Sequence, residues 1–400
     1  MSIHVLITGV SGYLAGTLAD HMTKNQEWQN LKRDTNLHIY GSVRTSEQAK
    51  LVEELYGMTP LNFDQSDPKE CHRVVVENQI QIVVATTSAT DLERSIGFMR
   101  GLAEVKSKTG KQVHYIHVSL LFQDALDLTG SRLIVDLSWG WARAQTGGAK
   151  LHSSHANRPY EWVKDDEKEY EKHLKQLEGE MPFIFARMGV KTDVGVLSTG
   201  DDLHIASYVV VPGIVYGEGR GFGNKISIQT RDVVRCAKLD GKVYDLNDTD
   251  DDTWVFSSVD DIADLYLIIL RSLIRGVDIP HGKMGGFYFS CAGLVHWKDL
   301  YQIVATTLKD QGHIKDDTLF KPTFEDKIRL SKYLQEAAGR GDQWDLRTQE
   351  AFLDFSMAGR LKMQAVNSKA IGWKPKDDLA HLRSSLPAEI TRIIKYLFDE

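Results

Sequence analysis

Cysteine is scarce: Cys71, Cys236 and Cys291 are the only three in 400 residues, far apart and without CxxC spacing. That excludes a disulfide framework and a cysteine-based zinc cluster, and it fits a reducing, intracellular setting. No dense block of lysine and arginine interrupts a chain of formal net charge -7, so neither a nucleic-acid surface nor an anionic-membrane surface is expected. Long apolar runs are missing as well. The most apolar helical window, Ile262 to Ile274, is broken by Asp264 and Arg271 and falls short of the roughly 18 to 20 residues a bilayer span needs. It reads as a core helix. The opening MSIHVLITG enters a strand directly, without a basic segment, apolar stretch and cleavage site, and so sets the expectation of a cytoplasmic protein. Internal repeats and low-complexity segments are absent too.

What is present is a globular composition, 42% hydrophobic and 26% charged, long enough for a large core and a smaller appended lobe. Up to Ser119, short β-branched runs at 4–8, 37–43, 60–63, 80–85 and 113–119 alternate with helical segments at 13–24, 46–56, 68–78 and 92–108. Parallel strands need crossovers, and helical crossovers cover both faces of the sheet. The expected class is therefore α/β, a Rossmann-type doubly wound parallel sheet.

Past Ser119 the alternation stops. Residues 120–158, with Trp139, Trp141 and Gly147-Gly148, are too long for an ordinary connection and read as a lid over the site. A helix is expected over 159–177, with Pro159 in its first turn and Tyr160, Val163, Tyr170, Leu174 and Leu177 as its buried stripe. A strand at 206–211 then leads into the glycine-rich loop 212–223, near the carboxyl edge where ligands bind in this architecture. The acidic run 245–252 reads as a solvated loop, followed by helix 259–273, strand 286–290 and helices at 297–308 and 325–336. The expected division is a dinucleotide domain, residues 1–217 with 255–291 returning to it, and a smaller, mainly helical substrate lobe from 218–254 and 292–400. No metal site is expected, since His152 and His155 have no third ligand nearby, and His114 and His117 point to opposite faces of a strand as structural residues.

The strongest local signal is Val5-Leu6-Ile7-Thr8-Gly9-Val10-Ser11-Gly12-Tyr13-Leu14-Ala15, a buried strand entering a glycine turn and then a helix. Gly9 allows the sharp turn, and Gly12 lets the backbone approach a pyrophosphate. The helix N-terminus offers unpaired N–H groups and a positive dipole end, and Ala15 is small enough for close helix-to-sheet packing. A dinucleotide there is expected to meet Thr8, Gly9, Ser11, Gly12, Tyr13 and Leu14. After the second strand, Arg44 stands where an acidic residue would bond a ribose 2'-hydroxyl, and a guanidinium suits a 2'-phosphate, so NADP(H) is favoured over NAD(H). Phe63 and Asp64 close the third strand near the adenine. Ala85, Thr86 and Thr87 follow the fourth strand toward the nicotinamide ribose, and Pro212 and Val215 complete the expected contacts.

The loop Thr8 to Ala15, Asp64, Ser119, the run Val211-Pro212-Gly213-Ile214-Val215-Tyr216-Gly217, the run Ser258 to Ala263 and Ile371-Gly372-Trp373 occur in this order over nearly the whole chain. In that order they resemble the extended short-chain dehydrogenase/reductases, most nearly the NAD-dependent epimerase/dehydratase-like branch, some of whose members serve secondary metabolism. The resemblance implies a Rossmann domain binding NAD(P), a C-terminal substrate lobe and a Ser, Tyr, Lys catalytic set. Tyr160 and Lys164 match the family's YxxxK pattern. On a helix that spacing shares a face, so that Lys164 tunes the phenol of Tyr160 as an acid and holds ribose hydroxyls while Ser119 binds the substrate oxygen. The leading expectation is an NADP(H)-dependent reductase acting on a carbonyl of a small, fairly apolar metabolite, possible as a homodimer. An epimerase, dehydratase or lyase without net redox, and a non-catalytic NADP-sensing protein, stay open as alternatives.

Overall fold

The computed structural model describes residues 2–87, 89–119, 163–165, 184–247, 252–337, 353, 357–358 and 361–398. In chain order the elements are β1 (Ile3–Ile7), α1 (Tyr13–Lys24), α2 (Gln26–Asp34), β2 (Leu37–Val43), α3 (Ser46–Tyr56), β3 (Thr59–Asn62), α4 (Pro68–Glu77), β4 (Ile82–Ala85), α5 (Leu92–Thr109) and β5 (His114–Val118). They continue with β6 (Val163–Lys164), α6 (Ile184–Asp202), β7 (Ala206–Pro212), β8 (Ile214–Tyr216), α7 (Ile228–Asp240), β9 (Val243–Tyr244), β10 (Thr253–Ser258), α8 (Val259–Ile274), β11 (Phe287–Ser290) and β12 (Gly293–His296). The last are α9 (Trp297–Asp310), β13 (Leu319–Phe320), α10 (Phe324–Ala337), β14 (Met363–Gln364), α11 (Asn367–Ala370) and α12 (Leu379–Phe398).

Seven strands form one sheet in the order β11-β7-β5-β4-β1-β2-β3, every neighbouring pair parallel. Strand order reverses between β1 and β4, so the crevice at their carboxyl ends is the topological switch point. Parallel strands buried on both faces require near-continuous apolar runs, and β4 and β11 are buried at every residue. Helices α1, α3 and α8 associate on one face, while α4, α5 and α6 pack as a second layer. Beyond the sheet, α7, α9 and α12 pack together, making the C-terminal region predominantly helical. Among the described residues no helix is long and apolar enough to cross a membrane.

Three expectations need correction. Val163 and Lys164 lie not on a helix but on the strand β6, paired in parallel with Met363 and Gln364. Asp165 explains the local conformation: its buried carboxylate accepts from the backbone N–H groups of Phe289 at 2.8 Å, Asn367 at 3.0 Å and Val366, which draws the segment onto β11 and α11. Within the acidic run, Asp245, Asn247 and Asp252 are buried, and Asp245 is paired with Lys321 at 2.7 Å. Finally, the loop after β7 contains a strand, β8, which pairs with β10.

Candidate functional site

Gly9 turns the chain out of β1 with φ +69, a left-handed conformation that only glycine adopts without strain. Gly12 then caps α1 without a side-chain hydrogen bond, and the first turn of α1 carries no acidic residue. The neighbouring helices are built differently. Thr45, Asp67 and Asp91 each cap a helix with a side-chain oxygen, and Glu47, Glu70 and Glu93 stand in the first turns of α3, α4 and α5. Each of those three termini satisfies one orphan N–H group with its cap and opposes its dipole with an acidic side chain, whereas α1 does neither and leaves its N-terminus open to an anion.

Behind this turn the ends of four strands are cross-linked. Thr8 Oγ1 accepts from the backbone N–H of Thr86 at 3.0 Å and lies 3.1 Å from Thr87 Oγ1, and the Thr86 hydroxyl donates to the Thr8 carbonyl at 2.6 Å. Gln65 bridges Ser42 and Thr87 at 3.1 Å on each side, and Gly9 donates its N–H to Ser42 Oγ at 3.2 Å. The loop 217–224 braces the other flank. The Tyr13 hydroxyl donates to the Gly217 carbonyl at 2.8 Å, and Ser11 O accepts from the N–H groups of Gly223 and Asn224. A Cβ on Gly221 would sit 2.1 Å from Gly12 O, so this contact requires glycine. Burial pushes the Tyr13 phenol well above its ordinary range, which keeps it a neutral donor.

The other residues singled out in the sequence fall as follows. Leu14, Phe63, Ala85 and Val215 are buried apolar packing around the turn, and Pro212 stands beside Ser290 at the end of β7. Arg44 is exposed just past β2, its backbone N–H donating to Gln48 Oε1 at 2.9 Å. Asp64 is exposed and engaged in a turn, accepting from Ser66 Oγ at 2.6 Å and from Ser66 N–H at 2.8 Å; these bonds hold its carboxyl below the usual range. Lys164 is exposed next to Asp165 at the outer strand β11, four strand spacings or about 19 Å from β1. Tyr160 and the stretch 120–158 lie outside the described residues.

Ser119 closes β5, two spacings or about 10 Å from β1. It is buried, and its hydroxyl donates to Asp193 Oδ2 on α6 at 2.6 Å. His117, two residues earlier on the same face, holds Nε2 at 3.7 Å from Asp193 Oδ1. Burial pushes this imidazole down to about 4; it also pushes the Asp193 carboxyl well up, against the hydrogen bond from Ser119, which lowers it. Sequence reasoning missed Gln65 and Asp193. The signal for Asp193 is a lone carboxylate among Val190, Val194, Val196 and Leu197 on a buried helix face.

No protein-family model and no curated protein sequence matches this chain. Solved structures do. UDP-glucuronic acid 4-epimerase from Bacillus cereus, in complex with UDP-glucuronic acid and NAD, is 14% identical, with 98% of this chain and 100% of that one covered and a TM-score of 0.50. The chain has its fold. dTDP-glucose 4,6-dehydratase from Bacillus anthracis, in complex with NAD, is 11% identical, covering 99% of this chain and 98% of that one at a TM-score of 0.52. Vestitone reductase from alfalfa is 12% identical, covering 98% of both chains at a TM-score of 0.51. The shared architecture is the seven-stranded Rossmann-type sheet with a helical C-terminal region.

Proposed function

We propose that this protein is an NADP(H)-dependent oxidoreductase of the short-chain dehydrogenase/reductase type, reducing a carbonyl of a small, fairly apolar metabolite. The observation that carries the reading is the terminus of α1: an uncapped, acid-free helix start behind the Gly9 turn, at the switch point of a Rossmann-type sheet. The N–H groups of Tyr13 and Leu14 would hold the pyrophosphate. Arg44 favours the 2'-phosphate of NADP, although two of the solved structures named above were determined with NAD. When bound, the dinucleotide supplies the hydride. Thr86 and Thr87 line the edge beside it, Ser119 binds the substrate oxygen, and the region 218–254 with 292–400 receives the rest of the substrate.

The neighbouring epimerase and dehydratase favour a second reading, in which the cofactor is regenerated within each turnover. A panel of aldehydes and ketones incubated with protein and NADPH separates the two. Alcohol formed in step with loss of nicotinamide absorbance supports the reductase; an isomerised or dehydrated product with the absorbance unchanged overturns it.

A further inference from the structure

One side chain at the glycine turn reaches further across the sheet than its neighbours. Gln65 stands just past β3, and its carboxamide donates to Ser42 Oγ on β2 at 3.1 Å and accepts from Thr87 Oγ1, just past β4, at 3.1 Å. β2 and β4 are not adjacent. β1 runs between them, so the two anchors belong to strands two spacings or about 10 Å apart, and the carboxamide spans the end of β1 where the chain enters the Gly9 turn. Both anchors also hold that turn, Ser42 Oγ accepting from the Gly9 N–H at 3.2 Å and Thr87 Oγ1 lying 3.1 Å from Thr8 Oγ1. The bonds between Thr8 and Thr86, by contrast, join the ends of adjacent strands. The backbone of Gln65 is tied to the helix layer, its carbonyl accepting from Cys71 Sγ on α4 at 3.5 Å.

An apolar side chain of the same length would fill this crevice without polar partners to satisfy, whereas a carboxamide fixes two hydroxyls in distance and orientation. Those hydroxyls fall on opposite halves of the site. Ser42 is on the strand that leads to Arg44, the adenosine side, and Thr87 is on the side of the nicotinamide ribose. Resting on the dinucleotide reading above, we propose that Gln65 is a positioning residue that couples the adenosine and nicotinamide halves of the cofactor site. It acts through Ser42, Thr87 and the Gly9 turn. With the bridge in place the strand ends are ordered beforehand, so a ligand that reaches both halves does not spend its second set of contacts on ordering them. A ligand confined to the adenosine half has no use for that coupling.

The test is calorimetric titration of the full chain and of Gln65→Met, which keeps the side-chain length and removes both bonds. The ligands are NADPH and NADH, and two that carry the adenosine half alone, adenosine 2',5'-bisphosphate and ADP. Gln65→Met is expected to weaken the dinucleotide that wild type binds by about tenfold and to leave the matching adenosine ligand within about twofold. Ser42→Ala cuts the same bridge at its other anchor. It is expected to give the same split although it lies on the adenosine side, which keeps the assignment open to disproof should Gln65→Met fail to fold. In the Ser42→Ala background, Gln65→Met is expected to add less than about twofold, because a bridge already cut has nothing more to lose. Equal losses for dinucleotide and adenosine ligand, no loss for either, or losses at Gln65 and Ser42 that add in full overturn the proposal. Failure of wild type to bind either dinucleotide overturns instead the reading on which it rests.

Discussion

A guanidinium and a phosphate match in charge and in planar geometry, and each charge-assisted bond is worth about 1.5 to 3 kcal/mol. Arg44→Ala is therefore expected to weaken NADPH binding about tenfold or more while leaving NADH within about threefold, as read by parallel fluorescence titrations. Equal losses would remove the basis for the NADP assignment. Adjacent residues at β6 make a second contrast. Asp165 is buried against three backbone donors, so Asp165→Ala strands them and should cost about 3 kcal/mol in urea unfolding. Lys164 is exposed, and Lys164→Ala should stay within about 0.5 kcal/mol. The YxxxK pattern invites a catalytic reading of Lys164 because four-residue spacing means one face only on a helix, and tertiary capture of Asp165 makes this segment a strand instead.

At the scale of elements, α1 is clamped to α8 by His21, which lies 2.7 Å from Asp260 and 3.1 Å from Asp264. Burial opposes charging of the imidazole, but hydrogen bonds and charge from the two aspartates outweigh it and raise the pKa from 6.5 to about 9. Raised in the folded state, the group contributes stability that is full below about pH 6.5 and lost as pH rises through about 9, up to about 3 kcal/mol. Wild type should lose urea resistance across that window, and His21→Gln should show a flatter profile; parallel profiles would refute the clamp. Arg220, paired with Asp260 at 3.0 Å, and Lys376, 2.5 Å from Asp264, join the same network and bring the loop 217–224 into it. The alternation through Ser119 was legible because strands such as β1 and β4 are largely apolar and helices carry stop signals, such as Gly57 after α3 and Gly110 after α5. Helix α6 was not. Gly189, Gly195 and Gly200 weaken its local propensity, and two of them serve packing instead, Gly195 against Leu92 and Gly200 against Ser207. Helix α2 escaped for the opposite reason: only Trp28 and Leu31 of its nine residues are buried, so its apolar stripe is too thin to read.

Across the whole molecule, the glycine turn was readable because its requirements are local: one left-handed residue, one helix start and a small residue against the sheet. The pairing of Ser119 with Asp193 joins residues 74 positions apart and follows from the crossover that places α6 between β5 and β7. No spacing rule reveals it. Long-range packing likewise brings the C-terminal helix to the flank of the glycine turn, where the buried Glu389 accepts from the Gly217 N–H at 2.8 Å and from the Ser227 hydroxyl. Gly217 in turn receives the Tyr13 hydroxyl at 2.8 Å, so the two ends of the chain meet at the first residue of α1. The central claim, a dinucleotide held at that terminus, is tested most directly by titrating the purified protein with NADPH and NADH in turn, following tryptophan quenching and nicotinamide fluorescence. Saturable binding with NADPH preferred is the predicted result; no binding of either dinucleotide would contradict it.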